Sequence, residues 1–522
     1  MPAAAPGGSP RRPASVRAIL AHDWCDRLSE VLLYAGLIVS PWAFGTPAFW
    51  SDFNTTQFWS TRLMNLIGYG LGGLLVLKWF IRWRYGYRPA RWSGPERGTG
   101  ESASDGSVAW GWLGRVVTLG VGVLTLALLG YCLIAGLNAR AVYDPVGMVF
   151  AFRPYVEWLP GSFDRARTLQ GFENYLALAC FFWALRDWLL GLTAEEARLA
   201  RSGPEQLRRR LVPGRLARLG WVLTLNGTLL AVEGLAQRWS GTNKLLWLVE
   251  PRVNRLPEHQ FGPFAYRANA AQYFNLVWPL TLGLWWTLRR ERRRGVGNPP
   301  AWQRRATDAL PLTVALMAAC AILSYSRGGA LVAVMNLGLA LGLFIYGLRR
   351  RHPLTKFGML LFFGAIVGVS VSVGWDKLSE RFKETREGIE GREATNRTAR
   401  RMAADYPWFG TGPGTFEPVF QLYRESEDEY WPAQLHNDWL ETRITFGRVG
   451  SGLIGLAFAC ALLRWFLPGN APGSWRLVSL IWVALGGCLV HARFDFPLQM
   501  YSILLLFLTL CAVLFSLSRA EE

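Results

Sequence analysis

The chain has 522 residues, of which 51% are hydrophobic and only 18% are charged, with 26 Trp and 29 Phe. The charged residues are grouped between long uncharged stretches, which is typical of a polytopic membrane protein and excludes a soluble protein of several domains. The formal net charge of +19 does not indicate nucleic-acid binding, because the arginine clusters lie in short loops where topology and anionic lipid account for them.

Twelve apolar runs in the chain could each cross a bilayer. They lie at 29–47, 62–81, 109–136, 167–190, 217–237, 269–288, 308–325, 328–348, 357–374, 445–467, 477–492 and 499–517. We therefore predict an all-α polytopic membrane protein with about 12 transmembrane helices. The first 28 residues are polar and no A-x-A cleavage site follows a short apolar core, so the first span is predicted to be retained.

Basic residues alternate between the loops, and this alternation predicts the orientation of the chain. Loops 82–108, 191–216, 289–307 and 349–356 carry five, six, seven and four Lys or Arg, whereas 48–61 carries none. By the positive-inside rule the basic loops face the cytoplasm, and both termini lie on that side.

The edges of these runs divide the chain into four units. They are a cytoplasmic N-terminal tail, four N-terminal helices with basic cytoplasmic loops, a transmembrane core and a cytoplasmic tail, at 1–28, 29–216, 217–517 and 518–522. Within the core, the polar segment 375–444 between the ninth and tenth helices is the only soluble piece large enough to fold over the membrane face.

Two patterns occur in that polar segment. The spacing of Arg and Glu through 376–404 predicts an amphipathic helix, and Tyr406-Pro-Trp-Phe-Gly-Thr-Gly-Pro-Gly414 predicts a tight turn. The acidic run at 424–430 is interpreted as a solvated surface and not as a metal site. The seven cysteines show no CxxC or Cys/His spacing, so we predict neither a metal nor a cofactor.

His436 lies near the end of the polar segment, just ahead of the tenth apolar run, and it is one of only five histidines. An imidazole at the junction of a polar loop and a membrane helix can transfer protons at the lipid–water boundary. It can equally be an interfacial side chain without chemistry. Position alone leaves both interpretations open.

Two arginines stand at the ends of spans on the same, non-cytoplasmic side. Arg327 is followed by two glycines, so backbone amides at Gly328 can approach a ligand closely while a helix begins. Arg267 lies just before another span, with Arg252 and Arg255 as rivals. Two arginines facing one cavity suit a pyrophosphate diester, whereas the alternative for each is an anchor at the membrane surface.

A third cluster, His491, Arg493 and Asp495, lies at a further outer span end. It forms either a structural ion pair or a support for the same cavity, and the residues alone do not separate these two possibilities.

Two spaced motifs resemble patterns of the O-antigen ligases. Arg327 and Leu331 fit the pattern R-x3-L. The pattern H-[NSQ]-x9-G-x-x-[GTY] is matched without a departure by His436, Asn437, Gly447 and Gly450. The chain therefore resembles the O-antigen ligase and polymerase superfamily over roughly residues 217–517.

This resemblance implies a GT-C type glycosyltransferase of the bacterial inner membrane. Its donor would be a glycan on undecaprenyl pyrophosphate and its acceptor a hydroxyl of lipid A-core, joined on the periplasmic face without a metal or other cofactor. A polyprenyl pyrophosphate leaves readily once its charge is neutralised, so arginine can replace a metal there. The remaining task is to deprotonate the acceptor hydroxyl, which suits an imidazole.

The roles that the resemblance implies are assigned to residues as follows. His436 is the general base, Asn437 orients it or the acceptor, and Arg327 and Arg267 clamp the pyrophosphate. The residues predicted to support this site are Asn269, Tyr325, Gly328, Gly447, Gly450, His491, Arg493 and Asp495.

Two other functions fit parts of the pattern. A polysaccharide polymerase or a protein O-oligosaccharyltransferase of the same superfamily would use the same chemistry with another acceptor. A transporter of lipid-linked glycans would also have many spans and arginine-lined cavities. The transporter is disfavoured because we find no internal repeat, and because the polar motifs lie on one face instead of at mid-membrane.

Overall fold

A computed structural model describes most of the chain, in segments separated by short gaps. The described residues are 15–46, 58–92, 105–202, 207, 210–251, 254–296, 299–347, 353–383, 385–424, 432–466 and 475–517. Arg252, the rival phosphate-binding arginine, and residues 425–430 of the acidic run lie outside the described residues.

Four long helices and one short helix form the N-terminal part. They are α1 (Val16–Trp42), α2 (Phe58–Tyr85), α3 (Asp105–Leu137), α4 (Arg165–Leu189) and α5 (Ala194–Ser202). Helix α1 begins well before the predicted apolar run, because Ser15 caps it by accepting a hydrogen bond from the backbone N–H of Ala18 (3.3 Å). The helix therefore extends into the segment assigned to the polar tail.

The rest of the described chain contains ten further α-helices. They are α6 (Gly214–Ser240), α7 (Arg267–Arg293), α8 (Ala301–Leu323), α9 (Arg327–Gly347), α10 (Pro353–Lys383), α11 (Thr385–Asp405), α12 (Phe416–Phe420), α13 (Asp438–Leu463), α14 (Trp475–His491) and α15 (Tyr501–Leu517). Each of the twelve predicted apolar runs overlaps one of the long helices, because runs of this length bury all their backbone hydrogen bonds only as helices.

Six of the helices are long and apolar enough to cross a membrane. They cover Trp59–Tyr85, Leu113–Leu137, Gly214–Ser240, Ala301–Leu323, Arg327–Gly347 and Asp438–Phe466. Three shorter apolar helices cover Phe357–Ser370, Trp475–His491 and Tyr501–Leu517. The described residues therefore form a multi-pass membrane protein, while the number of twelve spans stays a prediction.

One element departs from the predicted all-α fold. Strands β1 (Ala141–Asp144) and β2 (Val149–Phe152) form an antiparallel hairpin between α3 and α4. A two-stranded hairpin is marginally stable alone, and this one packs the ring of Phe150 against Phe163 at a centroid distance of 5.9 Å. The all-α prediction missed it because the two aromatic strands are only four residues long.

Helix α7 lies at the centre of the molecule and packs against α6, α8, α9 and α14. It is buried almost without interruption from Ala268 to Trp285. Its polar side chains tie it to its neighbours: Asn275 Nδ2 donates to the carbonyl oxygen of Gly329 (3.0 Å), which fixes the start of α9 beside it.

The segment 375–444 is largely helical and has a small core of its own. The amphipathic helix predicted at 376–404 is present as the end of α10 and the whole of α11. Ala399 and Met402 of α11 pack with Phe416 of α12 and Ile444 of α13. The segment is therefore folded against the start of α13, which carries the predicted site.

Candidate active site

Helix α13 is broken at Gly447, whose φ of 60° and ψ of −164° are not helical. The tight turn predicted at 406–414 bonds to this break: the N–H of Thr411 donates to the carbonyl oxygen of Ile444 (2.9 Å). A Cβ atom at position 447 would lie 2.3 Å from the carbonyl oxygen of Trp408, so only glycine fits. The turn and the helix form one hydrogen-bonded unit.

Tyr131 of α3 supports the same break from the N-terminal part. Its hydroxyl donates to the carbonyl oxygen of Phe409 (2.6 Å) and lies 2.9 Å from that of Phe446. A Cβ atom at Gly450 would lie 3.1 Å from the Tyr131 ring, so the second motif glycine allows this ring to approach the helix. The resemblance did not assign any role to α3.

The residues on either side of His436 are held by the first turn of α13. Asn437 caps the helix, because its side-chain oxygen accepts a hydrogen bond from the N–H of Leu440 (3.2 Å). The N–H of Leu435 donates to the buried carboxylate of Glu441 (2.6 Å). These bonds fix the backbone from which the imidazole of His436 projects.

The turn between α14 and α15 is fastened beside His436 by Asp438. The N–H of Asp438 donates to the carbonyl oxygen of Ala492 (2.8 Å), and its carboxylate accepts a hydrogen bond from the N–H of Leu498 (2.8 Å). The cluster of His491, Arg493 and Asp495 lies in this turn and at the end of α14, so it is close in space to His436.

His436 forms a hydrogen-bonded dyad with Asp495, whose atoms Nδ1 and Oδ1 are 3.1 Å apart. The hydroxyl of Tyr266 donates to the second carboxylate oxygen of Asp495 (3.1 Å). Burial raises the pKa of Asp495, but the hydrogen bond from His436 and the nearby positive charges outweigh it and lower the pKa to about 2. The charged carboxylate can only accept, so Nδ1 of His436 is the donor in this hydrogen bond.

Aromatic rings hold the imidazole in place. Tyr266 and Phe496 stack at 5.1 Å with their planes 8° apart, and the His436 ring lies 5.1 Å from Phe496 and 6.1 Å from Tyr266. The His436 side chain is 34% exposed, whereas that of Asp495 is 5% exposed. The dyad therefore has a buried acid and a partly open base.

His491 joins the dyad to the start of α9. It is fully buried, its Nδ1 lies 2.9 Å from Oε1 of Gln272, and its Nε2 lies 3.8 Å from Asp495. A Cβ atom at Gly328 would lie 3.0 Å from Nε2 of His491, so glycine allows the start of α9 to reach this ring. Arg327 is the residue before Gly328, so its backbone lies beside this cluster.

Three helices begin around this cluster, at Arg267, Arg327 and Asp438. The first turn of a helix has N–H groups without an intrahelical partner and a partial positive charge, which favour an anion. In α13 the N–H groups of Asp438 and Leu440 are already bonded, to Ala492 and Asn437, so the starts of α7 and α9 are the candidates. Arg267 follows directly on Tyr266 and donates from Nη1 to the carbonyl oxygen of Glu258 (3.0 Å). The arrangement suits an anionic group placed next to a base.

Two arginines near the site were missed by the sequence reasoning. Arg392 of α11 donates from Nη1 to the carbonyl oxygen of Phe494 (2.9 Å). Arg238 of α6 lies 4.4 Å from the ring centroid of Tyr325 and donates to the carbonyl oxygen of Gln260 (2.8 Å). Arg392 lies among the other charged residues of the amphipathic helix and Arg238 at the end of an apolar span, and no local signal marks either as a site residue.

The remaining predicted residues differ in their exposure to solvent. Arg493 and the rival Arg255 are exposed, and Asn269 is buried in the first turn of α7. Over the described part of the chain, no group of three or more His, Cys, Asp or Glu side chains is placed to hold a metal ion.

Part of the chain matches a known protein family. The family model described as O-antigen ligase matches residues 312–455, which include Arg327 and His436 but neither Arg267 nor the N-terminal helices. No curated protein matches the chain significantly. The family is one of ligase- and polymerase-type membrane glycosyltransferases, which act on a lipid-linked glycan and an acceptor. The resemblance indicated by the motifs is thereby confirmed for one stretch of this multi-pass membrane protein: residues 312–455 are similar to the O-antigen ligase family.

Proposed function

We propose that the protein is an O-antigen ligase of the bacterial inner membrane, with a GT-C type architecture. It transfers a glycan from undecaprenyl pyrophosphate to a hydroxyl of lipid A-core on the periplasmic face. The observation that carries this proposal is the hydrogen bond of 3.1 Å between His436 and Asp495, formed beside the starts of α7 and α9. A base next to an anion site is what this transfer needs.

His436 acts as the general base. Asp495 holds its Nδ1 proton, and among the described residues no hydrogen bond engages Nε2. Nε2 takes the proton of the acceptor hydroxyl while that oxygen forms a bond to the anomeric carbon of the donor. The bond from this carbon to the pyrophosphate oxygen breaks, and undecaprenyl pyrophosphate leaves with the electron pair.

Arg327 and Arg267 stabilise the leaving pyrophosphate. Each opens a helix, so its guanidinium acts together with the N–H groups of that first helical turn. Negative charge increases on the pyrophosphate as its bond to the sugar breaks, and preorganised donors stabilise that charge most in the transition state. Asn437 contributes as a helix cap that positions His436.

The test of this proposal is His436→Ala, assayed for glycan transfer in membranes or reconstituted vesicles. We expect the rate to fall by about 10²-fold or more, the range in which a positioned general base contributes. Gln434→Ala is the matched control, because it changes a half-buried residue of the same segment outside the dyad. Unchanged transfer by the His436 variant would refute the mechanism.

The products of the same assay identify the acceptor. A single transfer to lipid A-core supports the ligase, and loss of the gene should then leave undecaprenyl-linked glycan to accumulate. Lipid-linked products of increasing length would instead identify a polymerase, and glycosylated protein would identify an oligosaccharyltransferase.

A further inference from the structure

A cavity of about 520 Å³ lies between the starts of α2 and α4, and β1 and the turn after it also line it. This volume lies within the range of roughly 300–1,000 Å³ that is usual for small-molecule sites. Its polar lining includes Thr61, Arg62 and Asn65 from α2, and Gln170, Glu173 and Asn174 from α4. None of these residues belongs to the His436 cluster.

The lining of this cavity has balanced charge and many hydrogen-bonding groups. Arg62 and Arg167 are matched in number by two carboxylates, Asp164 and Glu173. Arg167 is also paired with Glu417 of α12 (2.6 Å), so its charge is already compensated. Such a lining lacks the net positive charge that would select a phosphate or pyrophosphate.

Side-chain amides form another part of the lining. Asn65 and Asn174 pair at 2.8 Å between α2 and α4, and Gln170 lies half-buried one turn earlier on α4. An amide has two donor hydrogens and an acceptor oxygen, and the pairing of Asn65 with Asn174 uses one donor of the first and the oxygen of the second. Donors and acceptors placed side by side suit a ligand rich in hydroxyl groups, because each hydroxyl both donates and accepts.

The cavity lies at the same end of the helix bundle as the His436 cluster. The hydroxyl of Thr168, next to Arg167, donates to the carbonyl oxygen of Pro413 (2.9 Å). The N–H of Phe163 donates to the carbonyl oxygen of Thr411 (3.0 Å). Thr411 belongs to the turn that bonds to the break in α13. The wall of the cavity and the base of the site therefore share one hydrogen-bonded framework.

We propose that this cavity is a carbohydrate-binding subsite. It holds a neutral oligosaccharide part of the donor or acceptor glycan, away from the bond that reacts. The inference rests on the proposed function for its substrate class, but its binding step requires neither His436 nor the pyrophosphate. Holding a remote part of the substrate uses binding energy to orient the reacting groups.

The test is saturation-transfer NMR of the purified full chain in lipid nanodiscs with two probes. One is the core oligosaccharide released from the source cells' lipopolysaccharide, and the other is an oligosaccharide repeat of their surface glycan. We expect one of them to bind, and binding to weaken at least tenfold in the double variant Gln170→Ala/Glu173→Ala. The probe that binds tells whether the acceptor or the donor glycan occupies the cavity.

Matched controls keep the outcome clear. Arg165→Ala removes an exposed arginine at the start of α4 that does not line the cavity, and it should leave binding unchanged. If the double variant unfolds at a lower temperature than the unaltered chain, binding is measured with the single variant Gln170→Ala instead. His436→Ala should still bind the oligosaccharide, so loss of transfer and loss of binding are measured separately.

Three results would overturn the subsite. They are failure of both oligosaccharides to bind the unaltered chain, equal binding by the cavity variants, and displacement of the oligosaccharide by inorganic pyrophosphate. The last result would make the cavity an anion site. If His436→Ala kept full transfer activity while the cavity variants lost binding, the proposed mechanism would fail and the subsite would stand.

Discussion

Two clusters of buried charge lie near opposite ends of the helix bundle, and they are built differently. Near the C-terminal end of α2, Lys78 pairs with both Asp26 and Asp187, and Arg82 forks onto Asp187 at 2.6 and 3.0 Å. Lys78 is only 1% exposed, so its ammonium is enclosed by its partners. In the second cluster Asp495 is buried, but its partner His436 is one-third exposed.

The difference fits the structural role of the Lys78 cluster and the chemical role that we propose for the His436 cluster. In the Lys78 cluster the charges neutralise one another inside the protein, which ties α1, α2 and α4 together and leaves no group for a substrate. In the dyad the acid is fully engaged and the imidazole keeps one nitrogen without a partner among the described residues. A general base needs a partner that fixes one of its nitrogens and a second nitrogen that can reach the substrate.

The largest effect on stability is expected from Lys78→Met. Each of the two carboxylates would lose one of its two counter-charges, because Asp187 would keep only Arg82 and Asp26 only Arg215. Removing one partner of a buried pair costs about 3–5 kcal/mol. Thermal unfolding in detergent measures the loss. The matched control is Arg218→Met, since that half-exposed arginine pairs with Glu30 at 2.8 Å and should contribute less than about 1 kcal/mol. Equal losses would mean that the Lys78 cluster is not structural.

Asp495→Asn should reduce glycan transfer by about 10²-fold or more, because an amide can donate to Nδ1 and favour the wrong tautomer of His436. Transfer assays and thermal unfolding should be run together. Asp144→Asn is the control, since it changes an exposed carboxylate in the hairpin turn. Full activity in the Asp495 variant would reduce the dyad to a structural pair.

Arg327→Lys should reduce transfer by about tenfold, because a point charge replaces a forked guanidinium at the proposed pyrophosphate site. The rate is measured at saturating acceptor while the lipid-linked donor is varied. Arg153→Lys, at an exposed position of the hairpin region, should leave the rate unchanged. If the rate of transfer depended on the donor concentration in the same way in both variants, Arg327 would not bind the pyrophosphate of the donor.

The smallest effect is expected from Tyr131→Phe, which removes the hydroxyl that bonds to the helix break. The loss of stability should be about 1 kcal/mol, the usual contribution of one hydrogen bond. Thermal unfolding of this variant is compared with that of Tyr85→Phe, at an exposed tyrosine. No difference between them would show that α3 does not support the break.

The positions of the long helices were predictable because they depend on local composition. All twelve apolar runs fall in helices, and the motif residues Arg327 and Asn437 lie at helix starts, as glycines and capping side chains indicate. The amphipathic helix and the tight turn before His436 were also predicted correctly. The short hairpin was not, because four-residue strands leave little periodicity to detect.

The partners of the site residues were not predictable, since they come from distant parts of the chain. Asp495 is 59 residues from His436, and Tyr131 is 278 residues from Phe409. Sequence spacing showed that His491 and Asp495 stand at an outer span end, but it left open whether they support the site. That question depends on how α13, α14 and α7 pack, which no local pattern encodes.

The amino-acid sequence alone determined that this is a helical membrane protein with an O-antigen ligase motif, because apolar length and motif spacing are properties of neighbouring residues. Only the tertiary structure decided that His436 pairs with Asp495 and that α3 supports the break at Gly447. The physical reason is that a hydrogen bond needs two groups within about 3 Å, and helix packing alone brings such groups together.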